Sequence, residues 1–131
     1  MRLEVTREAA EAMVAAARGA HPREACGILF GREARIERFV ETANVHPEPT
    51  RHFEIDPQAL IDAHRAEREG GPQVVGWFHS HPAGPAEPSA TDRAMAAPDG
   101  RVWAIWGEEN LAFFRAVEGG FEPLSSAIVD G

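Results

Sequence analysis

One segment near the middle of the chain constrains the fold more than any other. The apolar run Val74–Phe78 leads directly into His79 and His81, and Asp92 follows eleven positions after the second histidine. Side chains alternate along a strand, so a strand reaching this point would direct both imidazoles to the same side. Two imidazoles and one carboxylate are a three-ligand set for a divalent metal that leaves one coordination position open. An open position lets the metal activate water, so the pattern predicts a hydrolytic metal site and not a purely structural one.

The chain must turn back after the strand if Asp92 is to reach the two histidines. Three prolines stiffen the connection between His81 and Ser89, which lowers the entropy lost when the site becomes ordered. Ser89 is a favourable N-cap for a short helix over 90–96, with Asp92 about one turn inside it. The sequence therefore predicts that a strand end and a helix start bring the three ligands together.

The other patterns predict strands and helices that alternate along the chain, which indicates an α/β fold with a mixed β-sheet layered with helices. One interval is left open, because Phe121–Val129 suits either a last strand or a helix. The predicted strands are Leu3–Val5, Ala25–Phe30, Arg35–Glu41, Phe53–Ile55, Val102–Trp106 and Leu111–Val117, and the predicted helices run from a Thr6 cap to Gly19 and from Pro57 to Glu69, the latter with Leu60, Ile61 and His64 on its apolar face.

Length and charge narrow the classes of function. The 131 residues fit one domain over 1–131, and the formal net charge of -8 argues against nucleic acid or an anionic membrane as the main partner. No apolar run is long enough for a membrane span and the first residues lack a signal-peptide core, so we expect a cytoplasmic location. Cys26 is the one cysteine, which excludes an internal disulfide.

Two motifs together resemble the signature of the JAMM (MPN+) zinc metalloprotease family. The first is H-S-H-P, then five residues, then P-S-x-x-D, and it spans His79 to Asp92. The second is PREACGILFG, which is similar to the family segment that carries the catalytic glutamate and maps that residue to Glu24. The resemblance is to the short prokaryotic type, and it implies the MPN, cytidine-deaminase-like architecture.

The resemblance also implies a role for each motif residue. His79, His81 and Asp92 would bind Zn²⁺, with water in the open position. Glu24 would take the proton of that water and pass it to the leaving amine. Ser89 would donate a hydrogen bond to the oxyanion that forms when the carbonyl is attacked. The reaction implied is hydrolysis of an amide or isopeptide bond.

Related short prokaryotic members are associated with ubiquitin-like proteins and sulfur carriers that end in Gly-Gly. The resemblance thus implies a protein substrate whose C-terminal tail is trimmed or released from an adduct. The chain lacks room for the large insertion used by members selective for ubiquitin chains, which argues against polyubiquitin as the substrate.

Three other interpretations of the same residues stay open at this point. Two histidines and a carboxylate also form the facial triad of non-haem Fe(II) oxygenases, although those enzymes need neither Glu24 nor Ser89. A scaffold of this kind can also serve as a non-catalytic binding module. A thiol hydrolase would need Cys26 beside a histidine that a third group orients.

Overall fold

The computed structural model describes residues 2–131, and it contains a mixed sheet with three helices. Strands and helices follow the apolar patterns of the sequence closely. The elements are β1 (Arg2–Thr6), α1 (Arg7–Ala20), β2 (Cys26–Arg32), β3 (Arg35–Thr42), α2 (Pro57–Arg68), β4 (Gln73–Ser80), α3 (Ala90–Met95), β5 (Val102–Gly107), β6 (Asn110–Val117) and β7 (Gly120–Val129).

The described strands curl into a closed sheet in the order β1-β3-β2-β4-β5-β6-β7. The interval left open in the sequence is a strand, β7, which pairs with β6 and then runs parallel to β1 to close the sheet. Gly119 and Gly120 have φ angles of 86° and 145°, and this left-handed backbone reverses the chain between β6 and β7. The predicted α/β class with a mixed sheet is confirmed.

Helix α1 packs against this sheet, mainly on β3. Its N-cap is Thr6, whose hydroxyl accepts a hydrogen bond from the Ala9 N–H at 3.2 Å. Alanines and Met13 form its buried face, because small side chains let the helix approach β1, β3, β4 and β5 closely. The cluster around it also contains Leu3, Leu29 and Phe78.

Helix α2 belongs to a second apolar cluster that includes Ile28 and Trp103. Asp56 caps it, and Pro57 occupies its first turn as the sequence predicts. The prediction that Ile61 lies on the core face is wrong, because Ile61 is 49% exposed and Ala63 faces the cluster instead.

The segment after β3 is less regular than expected. The predicted strand Phe53–Ile55 is reduced to one isolated bridge between Ile55 and Asn44. The intervening loop folds over the sheet end where β2 begins, and this position matters for the site. Among residues 2–131, the structure has no helix long and apolar enough to cross a membrane.

Candidate metal centre

Strand β4 carries the first predicted ligand into the interior. The β-branched and aromatic residues of β4 favour a strand. It lies between β2 and β5, and His79 near its end is completely buried. The strand ends at Ser80, and His81 lies one residue past it. The His81 N–H donates to the Trp106 carbonyl at 2.7 Å, which anchors the chain where it leaves the sheet.

Helix α3 brings the carboxylate to the two histidines. Ser89 is its N-cap, and its hydroxyl accepts from the Asp92 N–H at 3.1 Å. Asp92 Oδ2 in turn accepts from the Ser89 N–H at 2.9 Å, which completes a reciprocal capping box. The geometry of the helix start therefore fixes the Asp92 side chain, which is only 4% exposed.

The three potential ligand atoms form a nearly equilateral triangle. His79 Nε2 lies 3.0 Å from His81 Nε2 and 3.1 Å from Asp92 Oδ2. His81 Nε2 is 3.2 Å from the same carboxylate oxygen. A tetrahedral zinc ion with ligands at ~2.0–2.1 Å separates its ligand atoms by ~3.3 Å. These three side chains therefore fit a small divalent ion. Within residues 2–131, they form the one group of three potential metal ligands that lie close together.

The two imidazoles are oriented in different ways. His81 Nδ1 lies 2.9 Å from the Pro85 carbonyl, which makes Nδ1 the protonated nitrogen of the neutral ring and leaves Nε2 free as a ligand. His79 Nδ1 is buried and has no hydrogen-bond partner among the described residues. Its ring is held by packing instead, stacked on Phe53 with centroids 4.2 Å apart and edge-on to Trp103 at 5.7 Å.

The charges at the triangle suit a cation. Burial alone would raise the pKa of Asp92, but hydrogen bonds with His79 and His81 outweigh it and hold that pKa well below its usual range. Burial lowers the pKa of His79. Burial also acts to lower the pKa of His81, yet its contacts with Asp92 and Pro85 raise it. Asp92 therefore keeps a negative charge beside the two ring nitrogens. A divalent ion that binds these three groups displaces the protons they would otherwise hold.

Glu24 lies two residues before β2, level with His81. The β2–β4 register pairs Cys26 with His79, and two further hydrogen bonds extend it: Ala25 N–H to Ser80 Oγ at 2.8 Å and Ser80 N–H to the Ala25 carbonyl at 3.0 Å. The Glu24 side chain is buried at 7% exposure. Burial raises its pKa from 4.5 to about 7, with His81 lowering it and Asp92 raising it.

Removing this buried acid is expected to stabilise the metal-free protein. A Glu24 pKa above its unfolded value means that wild-type stability falls as pH rises from 4.5 to about 7. At ~1.4 kcal/mol per pKa unit, Glu24→Gln should gain at most about 3 kcal/mol of unfolding free energy at pH 8 and little at pH 4. Urea unfolding of chelator-treated protein at both pH values measures the difference. The exposed Glu33→Gln is the matched control, and an equal effect of both variants at the two pH values would contradict the assignment.

Ser89 is placed to do more than cap α3. Its Oγ accepts one hydrogen bond from Asp92, which leaves the hydroxyl hydrogen free to donate to another group. Ser89 is exposed while Asp92 beside it is buried, so the serine lies between the ligand triangle and solvent.

Cys26 is not a nucleophile. It is fully buried, its Sγ lies 3.6 Å from Thr42 Oγ1, and burial raises its thiol pKa to about 11. A thiol in this state forms almost no thiolate at neutral pH. The thiol hydrolase interpretation is therefore wrong.

Two residues with contacts at the site lie outside the two motifs, and their roles are not predicted from the sequence. Phe53, predicted in a strand, stacks on His79, and Asn44, predicted in a loop, hydrogen-bonds the Glu24 carbonyl at 3.0 Å. Asn44 also accepts from the His46 N–H at 3.1 Å, two residues on, and this Asx-turn pattern is the sequence signal that identifies such an asparagine. No comparable local signal marks Phe53, because its contact with His79 depends on the tertiary fold.

Comparison with known proteins gives close relatives. The chain is 36% identical over 110 residues to the desampylase of Haloferax volcanii, covering 79% of each chain. It is 38% identical over 115 residues to the CysO-cysteine peptidase of Mycobacterium tuberculosis, covering 82% of this chain and 78% of that one.

A solved structure and a family model also match this chain. The structure superposes on a JAB1/MPN domain protein from Archaeoglobus fulgidus with a TM-score of 0.63 at 19% identity, covering 96% of this chain and 98% of the other. This likeness confirms the MPN architecture. The family model for prokaryotic homologues of the JAB domain matches residues 6–117. The resemblance that the two motifs indicate is thus confirmed, and the chain belongs to the family of prokaryotic JAB-domain homologues.

Proposed function

We propose that this protein is a zinc-dependent peptidase or isopeptidase that hydrolyses an amide bond at the C-terminal tail of a ubiquitin-like or sulfur-carrier protein. The observation that carries the proposal is the ligand triangle, with sides of 3.0–3.2 Å, beside a buried glutamate. Relatives named as a desampylase and a CysO-cysteine peptidase support the class of reaction and the class of partner.

His79, His81 and Asp92 would hold the metal through the atoms that face one another. Bound zinc lowers the pKa of a coordinated water toward ~7 and polarises a carbonyl oxygen. The chain contributes the orientation of its ligands: the Pro85 carbonyl sets the tautomer of His81, and the capping box fixes Asp92. Histidine nitrogens with one carboxylate oxygen are a donor set typical of catalytic zinc.

Glu24 and Ser89 would carry the remaining steps. A carboxylate with a pKa near neutrality can accept a proton from the attacking water and return it to the leaving amine. Ser89 would donate its free hydroxyl hydrogen to the substrate oxygen as negative charge develops there. Ser89 is fixed as the N-cap of α3, and the backbone of Glu24 is held by hydrogen bonds to Pro49 and Asn44, so both positions are held without any ligand.

Two alternatives fit the residues less well. An iron oxygenase has no use for a buried Glu24 beside its triad, and the family match favours a hydrolase. A non-catalytic binding module has no need for a complete ligand triangle. We further propose that residues 1–131 act as one domain and that the location is the cytoplasm, where a lone thiol such as that of Cys26 stays reduced.

Cleavage of a defined conjugate tests the proposal. The probe is a small ubiquitin-like carrier ending in Gly-Gly, joined either to the α-amine of cysteine or to the ε-amine of lysine. We expect the zinc-loaded protein to release the carrier with a free glycine carboxylate, seen by intact mass spectrometry. A chelator should abolish release and added zinc should restore it. Lack of cleavage of both conjugates by zinc-loaded protein, or cleavage that persists in chelator, would overturn the proposal.

A further inference from the structure

Asn44 lies just after β3, and its side chain forms hydrogen bonds with backbone groups of Glu24 and of the loop that follows β3. Its Nδ2 donates to the Glu24 carbonyl at 3.0 Å and to the His52 carbonyl at 3.0 Å, and the Pro49 carbonyl is at 3.5 Å. The two N–H groups of the amide are therefore both used. This side chain therefore joins Glu24, two residues before β2, to the loop that follows β3.

The backbone of Glu24 depends on this loop at both of its polar groups. Its carbonyl accepts from Asn44, and its N–H donates to the Pro49 carbonyl at 2.7 Å. Glu24 is buried, so a lost partner would leave a backbone group unsatisfied away from water. On the other side, Ala25 is bonded to Ser80 between the two histidines. The loop and β4 thus hold Glu24 from opposite directions.

The other half of the amide orders the loop itself. Asn44 Oδ1 accepts from the His46 N–H at 3.1 Å and from the Glu54 N–H at 3.0 Å. The loop is closed at its base by the Val45 N–H, which donates to the Glu54 carbonyl at 2.9 Å. The acceptor oxygen of the side chain therefore orders both ends of the loop, and the donor nitrogen joins the loop at His52 to Glu24.

The far end of the loop reaches a metal ligand. Phe53 stacks on His79, and that ring has no hydrogen bond at Nδ1 within residues 2–131. The position of Phe53 depends on the bonds that Asn44 makes to the residues on either side of it, His52 and Glu54. Displacement of this loop would reach both Glu24 and His79.

We propose that Asn44 is a positioning residue for the hydrolytic site, which fixes the backbone of Glu24 and the packing of Phe53 on His79. This role rests on the proposed function, because it matters for turnover only if Glu24 and the metal act together. Within residues 2–131, Asn44 makes no hydrogen bond to the ligand triangle. It acts through backbone hydrogen bonds alone.

Two variants separate the halves of the amide. Asn44→Asp keeps oxygens that can accept from His46 and Glu54 but loses the donors to the Glu24 and His52 carbonyls, and Asn44→Ala loses both functions. We expect Asn44→Asp to lower kcat by about 10- to 100-fold with KM little changed and zinc content near one per chain, the range seen when a group that orients a catalytic residue is removed. The matched control is Asn110→Asp, the same chemical change at the exposed first residue of β6, which should keep wild-type kcat.

Amide hydrogen exchange gives a readout that does not depend on turnover. We expect the Glu24 amide to exchange at least ~10-fold faster in Asn44→Asp, while the amide of Ile28 in β2 stays protected. Wild-type kcat in Asn44→Asp would overturn the proposal, and so would unchanged Glu24 protection. Equal loss of protection at Ile28 would also overturn it, since that indicates general destabilisation. If Asn44→Asp fails to fold, Asn44→Ser is measured and judged by the same criteria.

The turnover and hydrogen-exchange measurements distinguish a failure of this proposal from a failure of the proposed function. A wild-type protein that holds zinc but cleaves no conjugate would overturn the peptidase function. The exchange rates of Glu24 in metal-free protein would still decide whether Asn44 positions that residue.

Discussion

Glu24→Gln is expected to abolish most turnover while the protein keeps its metal. The variant has nearly the same volume and can still hydrogen-bond, but it cannot accept the proton of the attacking water. Loss of a positioned general base costs about 10²–10⁴-fold in rate, and we expect kcat for conjugate cleavage to fall within that range. KM should change little, because Glu24 acts on the reacting water and not on the carrier.

The control for this prediction is Glu33→Gln, an exposed residue in the turn between β2 and β3. It makes the same change in charge without contact to the ligand triangle, so its kcat should equal that of wild type. Zinc content measured on the same samples separates loss of the base from loss of metal. A Glu24→Gln protein that holds one zinc and turns over at the wild-type rate would exclude Glu24 as the base.

His81→Ala is expected to remove zinc and activity together. Two remaining protein ligands hold a divalent ion poorly, and even removal of a group that merely orients a ligand costs about 10–100-fold in metal affinity. We therefore expect the zinc dissociation constant to rise by more than ~100-fold. Competition with a chromophoric chelator at pH 7.5 measures it directly.

Folding should survive this substitution better than metal binding does. His81 lies past the end of β4 and its side chain is 12% exposed, so truncation leaves a smaller defect than at His79, which is fully buried. His64→Ala on α2 is the matched control, and it should bind zinc as wild type does. Tight binding of one zinc per chain by His81→Ala would show that His81 is not a ligand.

The ligand triangle could be predicted because each of its parts has a local signal. An apolar β-rich run leads to His79, and a serine N-cap three residues before Asp92 starts the helix that carries it. Strand alternation and helix capping are short-range effects, so one sequence is enough to read them. The triangle then closes because β4 and α3 are joined by a stiff, proline-rich connection.

Contacts that depend on distant parts of the chain could not be predicted. The pairing of β7 with β1 joins the two ends of the chain, and no local pattern specifies that partner. Phe53 alternates with Ile55 as a strand would, but the loop held by Asn44 turns it onto His79 instead. Ile61 was misplaced because α2 carries apolar residues on more than one face, and only the tertiary packing selects Ala63.

The most direct test of the central claim is the zinc K-edge X-ray absorption spectrum of the protein loaded with one equivalent of zinc. We expect four light-atom ligands at about 2.0–2.1 Å, two of them with the outer-shell scattering of imidazole. Asp92→Ala should lose this signal, while Cys26→Ser should keep it, because the thiol is not part of the ligand triangle. A sulfur ligand at about 2.3 Å, or a shell without imidazole scattering, would contradict the assignment of His79, His81 and Asp92 as the metal site.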